Sequence, residues 1–528
     1  MHTFDVNSKE AHAKRWWVLA VLCLSLTVIS IDNTILNVAL PSIVESLHAQ
    51  GSELQLLIDG YTVVFACLLL TAGSLGDKLG RKGILTIGLA AFGTFSAAAA
   101  FSHTSHQLIF FRALMGIGGA CIYPSTLSIL TNTFSDSRER ARAIGIWAGV
   151  SGLGVAIGPL AGGLLLEHFW WGSVFLVNVP ICITAIIAGR FIVPTTPRDP
   201  DEALDPLGAL LSIVGLVGFL YAIIEVPDKG WTAPEIVIPG LIGVLFLALF
   251  ALWEIKSRHP MLDLKFFANP RFSAASATIT LTFFALYGST FLLTQYFQFV
   301  LLYSPLKAGM LTAPVAVGIM ATAPQAPKLV ERIGTKYVVV LGLSIVTTGL
   351  LLYGSNTVMS SIPGGVFVRL LFGVGMGFTM APATESIMGS LPKQKAGVGS
   401  AVNDTTRQMG GAMGVAIIGS VFAARYHAII DVPAGLPQGV TPLVHDSIGR
   451  ALDAVPQFHL PSATAAAIHA AASDAFILSM RTAVIVGAAF VAIAAVVAHR
   501  YLPARAEVVE GDALDEAHGA EAIDEAFV

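Results

Sequence analysis

The sequence predicts an all-α integral membrane protein with about fourteen transmembrane helices of about 20 residues each. Three observations support this fold class. Of the 528 residues, 55% are apolar and only 12% are Asp, Glu, Lys or Arg, whereas soluble domains carry about 25% charged residues. The apolar residues are grouped in runs long enough to cross a bilayer, and basic residues are concentrated in alternate connections between these runs. Together these features exclude a soluble enzyme of this length.

Each predicted helix corresponds to one apolar run. The first run, residues 16–40, is too long for the core of a signal peptide and contains Asp32, so we expect it to remain as a membrane helix. In order along the chain, the runs begin near Trp16, Leu54, Ile84, Gln107, Ala143, Trp170, Leu207, Pro234, Phe272, Ala308, Tyr337, Ile362, Gly397 and Ala475.

The distribution of Lys and Arg predicts the orientation, because basic residues favour cytoplasmic loops. With the N-terminus inside, most of the 30 basic residues fall on the cytoplasmic side. They cluster around Lys14, Lys82, Arg140 and Lys265, whereas few basic residues fall in the outer connections. We therefore expect an even number of helices, with the N- and C-termini in the cytoplasm.

The two halves of the chain repeat one another. Arg112 is followed by a Gly-Ile-Gly sequence and Pro124, and Arg369 is followed by a Gly-Val-Gly sequence and Pro382. Such a duplication is typical of alternating-access carriers, which bind substrate between the repeats near the membrane midplane. We predict two six-helix units separated by two inserted helices.

The repeat predicts a division of the chain into five parts. The long outer loop of the chain is expected to cap the membrane surface, and the acidic tail of the chain is expected to be solvated and disordered. The parts are a cytoplasmic N-terminus (1–15), an N-terminal six-helix bundle (16–200), two inserted transmembrane helices (201–265), a C-terminal six-helix bundle (266–503) with the outer loop 426–474, and the cytoplasmic tail (504–528).

Four sequence motifs carry a resemblance to the major facilitator superfamily. Residues 73–82, GSLGDKLGRK, resemble its signature loop between helices 2 and 3. Residues 154–163, GVAIGPLAGG, are similar to the helix 5 motif of its antiporters. Residues 32–41, DNTILNVALP, and residues 399–408, GSAVNDTTRQ, resemble the fourteen-span drug:proton antiporters of the EmrB/QacA type.

The resemblance covers nearly the whole chain apart from the two tails. It implies a major facilitator fold with two six-helix repeats plus two inserted helices, located in the bacterial cytoplasmic (inner) membrane. The implied activity is proton-coupled multidrug efflux by alternating access, with lipophilic, cationic compounds as substrates. The alternative is a proton-coupled exporter of one endogenous metabolite, lipid or antibiotic on the same scaffold.

Ionisable residues inside the predicted helices are the candidates for proton coupling, because a charge in hydrocarbon needs a partner or a function. Since each helical residue rises about 1.5 Å, Asp32, Asp59 and Arg112 fall at similar depth in the outer part of the first repeat. A carboxylate beside an arginine at that depth can bind and release a proton; alternatively, Arg112 only neutralises one Asp. In the second repeat Asp404 is the candidate for proton coupling. Alternatively, Arg407, one turn later on the same helix, could pair with it.

A proton and a cationic substrate that need the same carboxylate compete, so that loading one ejects the other. Polar and aromatic residues in the predicted cavity helices suit lipophilic cations through cation–π and hydrophobic contacts, although each is also compatible with packing. The candidate substrate contacts are Asn33, Asn37, Tyr61, Tyr123, Gln295, Tyr296 and Gln298.

Two of the motifs are expected to control conformation. Glycines at every fourth position of helix 5 form one face that permits close helix approach, which we expect across the interface between the halves; ordinary packing is the alternative. The resemblance implies that the loop between helices 2 and 3 stabilises one conformational state. The alternative is that its basic residues only fix the topology, as a positive-inside anchor. The residues concerned are Gly73, Asp77, Gly80, Arg81, Gly154, Gly158, Pro159 and Gly162.

Several function classes lack support in the sequence. It contains no phosphate-binding loop, no dinucleotide-binding loop after a predicted strand and no His-Glu-x-x-His motif, and its scattered basic residues argue against nucleic acid. We therefore expect no enzyme activity, no cofactor, no metal and no use of ATP. The expected partners are a small-molecule substrate, protons and the lipid bilayer. The four cysteines lie in apolar runs, where a thiol behaves as a small hydrophobe; they are Cys23, Cys67, Cys121 and Cys182.

Overall fold

The computed structural model describes residues 9–47, 51–195, 204–257, 259–354, 362–392, 395–433 and 435–504. The elements of these segments are helices, so the all-α prediction is confirmed for them. Some side chains within the helices also lie outside the described set, among them those of the predicted site residues Asn37, Asp59 and Pro159.

The first half forms seven helices whose ends follow from local chemistry. Gly80 adopts a φ of 97° between two of them, in the region that favours glycine. The side chains of Thr104 and Asp136 cap the next two by accepting hydrogen bonds from backbone N–H groups in the first turn. The helices are α1 (Lys9–Leu47), α2 (Gly51–Leu79), α3 (Arg81–Ala100), α4 (Ser105–Thr133), α5 (Ser137–His168), the short α6 (Ser173–Leu176) and α7 (Asn178–Ile192).

The inserted pair and the second half follow. Gly334 adopts a φ of 93° at the position that matches Gly80, so the predicted repeat extends to backbone conformation. The helices are α8 (Pro206–Lys229), α9 (Pro234–Lys256), α10 (Pro270–Gln295, continued by a π-helical turn at Tyr296–Val300), α11 (Pro305–Thr322), α12 (Ala326–Ile333), α13 (Thr335–Tyr353), α14 (Ile362–Met388), α15 (Ala396–Ile429), α16 (Val440–Asp446), α17 (Ile448–Gln457) and α18 (Ser462–Tyr501); a 3₁₀ turn covers Leu264–Ala268.

The helices pack into two bundles. The first bundle consists of α1 to α5 with α7, and the second consists of α10, α11, α13, α14, α15 and α18. The bundles meet at two seams, where α5 packs along α11 and where α2 packs along α15. The inserted helices pack on each other, and α8 lies against both α2 and α15 beside the second seam.

Twelve of the fourteen predicted spans are matched by candidate membrane helices among the described residues. In the described part of the chain, twelve helices are long and apolar enough to cross a membrane. Two further helices occupy predicted spans but stand outside this set: α5 has 32 residues and α11 has 18 residues. The described residues therefore form a multi-span helical protein with twelve candidate spans, and the count of fourteen remains a prediction.

The outer loop differs from the expectation because the last helix begins earlier. α18 has 40 residues and begins at Ser462 rather than near Ala475, since the preceding Ala-rich stretch has high helix propensity. Between α15 and α18, α16 and α17 pack on the second bundle. The hydroxyl of Tyr426 donates to Val444 O at 3.2 Å, and the ring of His469 contacts Phe299 O at 3.0 Å. The described residues of the loop 426–474 are thus mainly helical.

Candidate functional site

A cavity of about 360 Å³ lies between the two bundles. Its size falls within the range of about 300–1,000 Å³ that is typical of drug-sized ligand sites. Both bundles contribute aromatic rings, hydroxyl groups and one arginine each. The polar and aromatic lining residues from the first bundle are Ser30, Asn33, Thr34, Tyr61, Thr62, Arg112 and Tyr123, and those from the second are Phe283, Tyr287, Thr290, Thr312, Arg407 and Gln408.

Asp32 and Arg112 form a buried ion pair at the wall of this cavity. Asp32 is 0% exposed and Arg112 is 2% exposed, and Arg112 Nη1 contacts Asp32 Oδ2. The other carboxylate oxygen, Oδ1, accepts a hydrogen bond from Asn178 Nδ2 at 3.1 Å. Because Arg112 lines the cavity and Asp32 lies behind it, the arginine shields the carboxylate from the cavity.

The helices that supply this pair hold it from several directions. Asn178 begins α7 and also donates to Ser96 Oγ of α3 at 3.1 Å, and the Ser96 hydroxyl donates in turn to Phe175 O at 2.8 Å. Arg112 Nε donates to Leu57 O of α2 at 3.4 Å. The Asp32 carboxylate of α1 is therefore positioned directly by α4 and α7, which are in turn held by α2 and α3.

A chain of aromatic rings links the two cavity arginines. The guanidinium carbon of Arg112 lies 4.3 Å from the centroid of the Tyr61 ring, and that of Arg407 lies 5.2 Å from the Trp147 ring. Trp147 is fully buried and donates its Nε1–H to Thr126 at 3.2 Å. Centroid distances along the chain are 6.0 Å from Tyr61 to Phe65, 5.8 Å from Phe65 to Tyr123 and 5.7 Å from Tyr123 to Trp147.

Asp404 and Arg407 do not satisfy each other directly in the described structure, so the pairing that their spacing allows is not formed. Asp404 Oδ1 accepts a hydrogen bond from Asn403 Nδ2 at 3.0 Å, and Oδ2 has no partner among the described residues. Arg407 Nη2 donates to Thr384 Oγ1 at 3.0 Å, and the Thr384 hydroxyl donates to Asn403 Oδ1 at 3.1 Å. The two charged groups are therefore joined through an amide and a hydroxyl.

The predicted substrate contacts divide into two groups. Asn33, Tyr61 and Tyr123 line the cavity. Gln295, Tyr296 and Gln298 are not among its lining residues; Tyr296 is buried against Phe476, with ring centroids 6.5 Å apart. The side chains of Asn37 and of the coupling candidate Asp59 lie outside the described set.

Asp77 joins the two bundles at one seam, and Arg81 holds it there. Arg81 Nη2 lies 2.6 Å from Asp77 Oδ1. The Asp77 carboxylate also accepts hydrogen bonds from the backbone N–H groups of Gly397 and Val398 at 3.2 Å. These groups belong to the first turn of α15, where the helix dipole favours a negative charge. Gly73 permits this approach, because a Cβ atom there would lie 2.7 Å from the Cβ of Ala401.

The other seam closes at the same end of the molecule, where α5 begins and α14 ends. Arg140 Nε lies 3.1 Å from Glu385 Oε1, and this ion pair joins the two bundles. Gly145 lies so close to α11 that a Cβ atom there would lie 2.5 Å from Ala323 O. The two seams together close the cavity at the end that carries Asp77.

The helix 5 glycines pack within the first bundle, which corrects the expectation that they cross the interface. Cβ atoms on Gly154 and Gly158 would overlap Ser30 and Thr34 of α1, and a Cβ on Gly162 would lie 2.9 Å from Ile35. The contact across the interface is made instead by glycines earlier in α5, such as Gly145, which lies about two and a half turns before Gly154.

Two residues of the site were missed by sequence reasoning. Asn178 is the sole amide in the apolar stretch of residues 173–192, and that polar residue in an otherwise apolar run was the available signal. Glu385 lies one residue after Thr384 near the end of α14, and its ion pair with Arg140 carries no sequence signal, because the two residues are 245 positions apart.

Comparison with known proteins decides the family. The family model for the Major Facilitator Superfamily matches residues 22–415, which include most of both bundles and the cavity residues named above. The chain belongs to the major facilitator superfamily. It is thus a member of a transporter superfamily, as the motifs had indicated.

Relatives within the superfamily align over most of the chain. The multidrug efflux pump LfrA of Mycolicibacterium smegmatis is 38% identical over 92% of this chain and 95% of that protein. The methyl viologen resistance protein SmvA of Salmonella typhimurium is 34% identical over 88% of this chain and 94% of that protein. Among solved structures, the human organic anion transporter MFSD10 (TETRAN) has a TM-score of 0.60 at 15% identity, covering 92% of this chain and 99% of that chain. This last likeness concerns the fold alone.

Proposed function

We propose that the chain is a proton-coupled multidrug efflux antiporter that exports lipophilic, cationic compounds by alternating access. The observation that carries this proposal is the buried ion pair of Asp32 and Arg112 at the wall of an aromatic cavity between two bundles. Identities of 38% and 34% to relatives named for multidrug efflux and methyl viologen resistance support the same activity.

The proposed location is the bacterial cytoplasmic membrane, with both termini in the cytoplasm and fourteen spans. The length of α5, 32 residues or about 48 Å, and of α11, 18 residues or about 27 Å, supports two spans beyond the twelve, because the hydrocarbon core is about 30 Å thick. The packing of the helices in two bundles supports the division into residues 16–200, 201–265 and 266–503.

Coupling in this proposal is competition for one carboxylate. A proton on Asp32 cancels the charge that holds Arg112, whereas a cationic cargo group needs that charge. Since one carboxylate cannot hold the proton and the cation together, loading one releases the other. Exchange of a monocation for one proton moves no net charge, and it draws on the pH difference alone, at about 1.4 kcal/mol per pH unit.

Alternating access in this proposal requires the two seams to open. The contacts of Asp77 with α15 and of Arg140 with Glu385 lie at the end that the basic residues assign to the cytoplasm. We therefore interpret the structure as a state closed to the cytoplasm, in which the cavity exchanges with the outside. Release of these contacts admits the next cargo molecule from the cytoplasmic side.

The proposal is tested with the purified protein in liposomes that contain a pH-sensitive dye. We expect an imposed pH gradient to drive ethidium uptake against its concentration gradient, and addition of ethidium to move protons the opposite way. An uncoupler and protein-free liposomes are the controls. Ethidium accumulation that is unaffected by removing both the pH gradient and the membrane potential would overturn the proposal.

A further inference from the structure

Arg407 is a buried cation at the wall of the central cavity. It is 4% exposed, and its guanidinium carbon lies 5.2 Å from the centroid of the Trp147 ring and 5.3 Å from that of Phe283. Nη2 donates to Thr384, while Nε and Nη1 have no hydrogen-bond partner among the described residues. Buried N–H groups without an acceptor are unfavourable, so these two donors favour an acceptor oxygen placed in the cavity.

No described carboxylate forms an ion pair with Arg407. Asp404, one turn earlier on α15, is held through Oδ1 by Asn403, and Asp32 is held by Arg112 and Asn178. Of the described residues that line the cavity, the charged ones are the two arginines, and Arg407 is the one without an acidic partner. The cavity wall therefore carries a positive charge from the second bundle that no described carboxylate binds directly, and Asp404 acts on it only through space.

We infer that Arg407 binds a carboxylate of the cargo, so that the cavity favours aromatic compounds that carry a carboxylate, zwitterions among them, over cations that lack one. This inference rests on the proposed function for the identity of the cargo. It concerns a different bundle from the one that carries Asp32, so the two are tested separately.

The chemistry of the guanidinium supports this class of cargo. Its planar array of N–H donors matches the two oxygens of a carboxylate, and such charge-assisted hydrogen bonds are strong in a site of low dielectric. Because a single hydrogen bond to Thr384 holds it, the group is able to turn toward an oxygen in the cavity. Thr384 is thus a positioning residue. A cation without a carboxylate cannot engage two of the donors together, and it meets a like charge.

The test compares two dyes with the same ring system: the N-unsubstituted rhodamine, which carries a free carboxylate, and its methyl ester. Binding of each to the purified full-length protein in detergent is measured by fluorescence anisotropy, and the readout is the ratio of the ester's dissociation constant to that of the acid. We expect Arg407→Gln to lower this ratio by about tenfold. Arg407→Lys, which keeps the charge but lacks the planar array, should lower it by a smaller factor.

Arg369→Gln is the matched control. Arg369 is also a buried arginine, with unpartnered Nε and Nη2 among the described residues and an aromatic ring, that of Phe297, 4.2 Å away, but it does not line the cavity. We expect this variant to keep the wild-type ratio. An unchanged ratio in both Arg407 variants, or an equal fall in the Arg369 variant, would overturn the inference.

The outcomes also separate this inference from the proposed function. A ratio that depends on Arg407 in a protein that shows no pH-driven transport supports the cargo site and overturns the efflux proposal. If the pH gradient drives transport of both dyes but substitution of Arg407 leaves the ratio of dissociation constants unchanged, the efflux proposal is supported and the cargo-site inference is overturned.

Discussion

Asn178 Nδ2 lies 3.1 Å from Asp32 Oδ1, and it holds the carboxylate oxygen that Arg112 leaves free. The two residues are 146 positions apart in the sequence and meet where α7 begins beside the middle of α1. The carboxylate is thereby fixed from two sides, by one neutral and one charged donor. The charge of this one group decides whether Arg112 has an ion-pair partner.

The first prediction concerns the neutral donor. Asn178→Leu removes the hydrogen bond to Asp32 Oδ1 and leaves that buried oxygen without a donor, so the carboxylate should be held less firmly beside Arg112. We expect the ratio of ethidium flux with a pH gradient to the flux without it, measured in liposomes, to fall by about threefold, which corresponds to the loss of one hydrogen bond. Asn132→Leu is the matched control, because the Asn132 amide donates within its own helix to Ser128 O. An unchanged ratio for Asn178→Leu would show that this amide has no influence on coupling.

The second prediction concerns the closed seam. Asp77→Ala removes the ion pair with Arg81 and the acceptors for the first turn of α15, so the bundles should separate at that end. Spin labels at Leu79 and Ile333, which are 47% and 44% exposed, report the distance between the bundles by pulsed electron resonance. We expect a longer mean distance for Asp77→Ala and the wild-type distance for Lys78→Ala in the same turn. Equal distances in all three proteins would contradict a role of Asp77 in closure.

The third prediction uses two glycines in helices. Replacing a helical glycine by alanine ordinarily stabilises a helix by about 0.5–1 kcal/mol. Gly158→Ala should instead destabilise the protein by about 1–3 kcal/mol, because its methyl group overlaps Thr34. Gly83→Ala meets no atom within 4 Å and should raise the melting temperature slightly. Thermal unfolding of the purified variants checks this; a rise for both would mean that α1 and α5 are not packed as described.

The fourth prediction concerns the acid nearest to Arg407 along α15. Asp404→Asn removes a negative charge one turn away, so a carboxylate bound at Arg407 should bind more tightly, by about threefold at the dielectric of a partly buried site. The rhodamine acid is the probe, and its methyl ester is the internal control. Weaker binding of the acid to this variant would indicate that Asp404 helps to position Arg407 and does not repel the bound carboxylate.

The sequence was sufficient to predict the features that depend on helix periodicity and composition. The all-helical class, the repeat and the common depth of Asp32 and Arg112 follow from apolar runs and a constant rise per residue. Their ion pair agrees with that reasoning. The transporter superfamily was predicted because its motifs lie in continuous segments of the chain.

Other features depend on which helix faces which, and the sequence carries little information about that. Asn178 meets Asp32 through a contact between distant segments, and the glycines at 154, 158 and 162 face α1 rather than the other bundle. Their spacing identifies a close-packed face without identifying the neighbour. Asp404 and Arg407 have the spacing of a helical ion pair, yet their side chains turn to Asn403 and Thr384 instead.

The most direct test of the account is the response of Asp32→Asn to a pH gradient in liposomes. The readout is the ratio of ethidium flux with the gradient to the flux without it. We predict that this ratio falls to about one in Asp32→Asn, because an amide cannot exchange a proton. Asp453→Asn, at an exposed acid of α17, should keep the wild-type ratio. A wild-type ratio in Asp32→Asn would contradict the assignment of this carboxylate as the group for which proton and cargo compete.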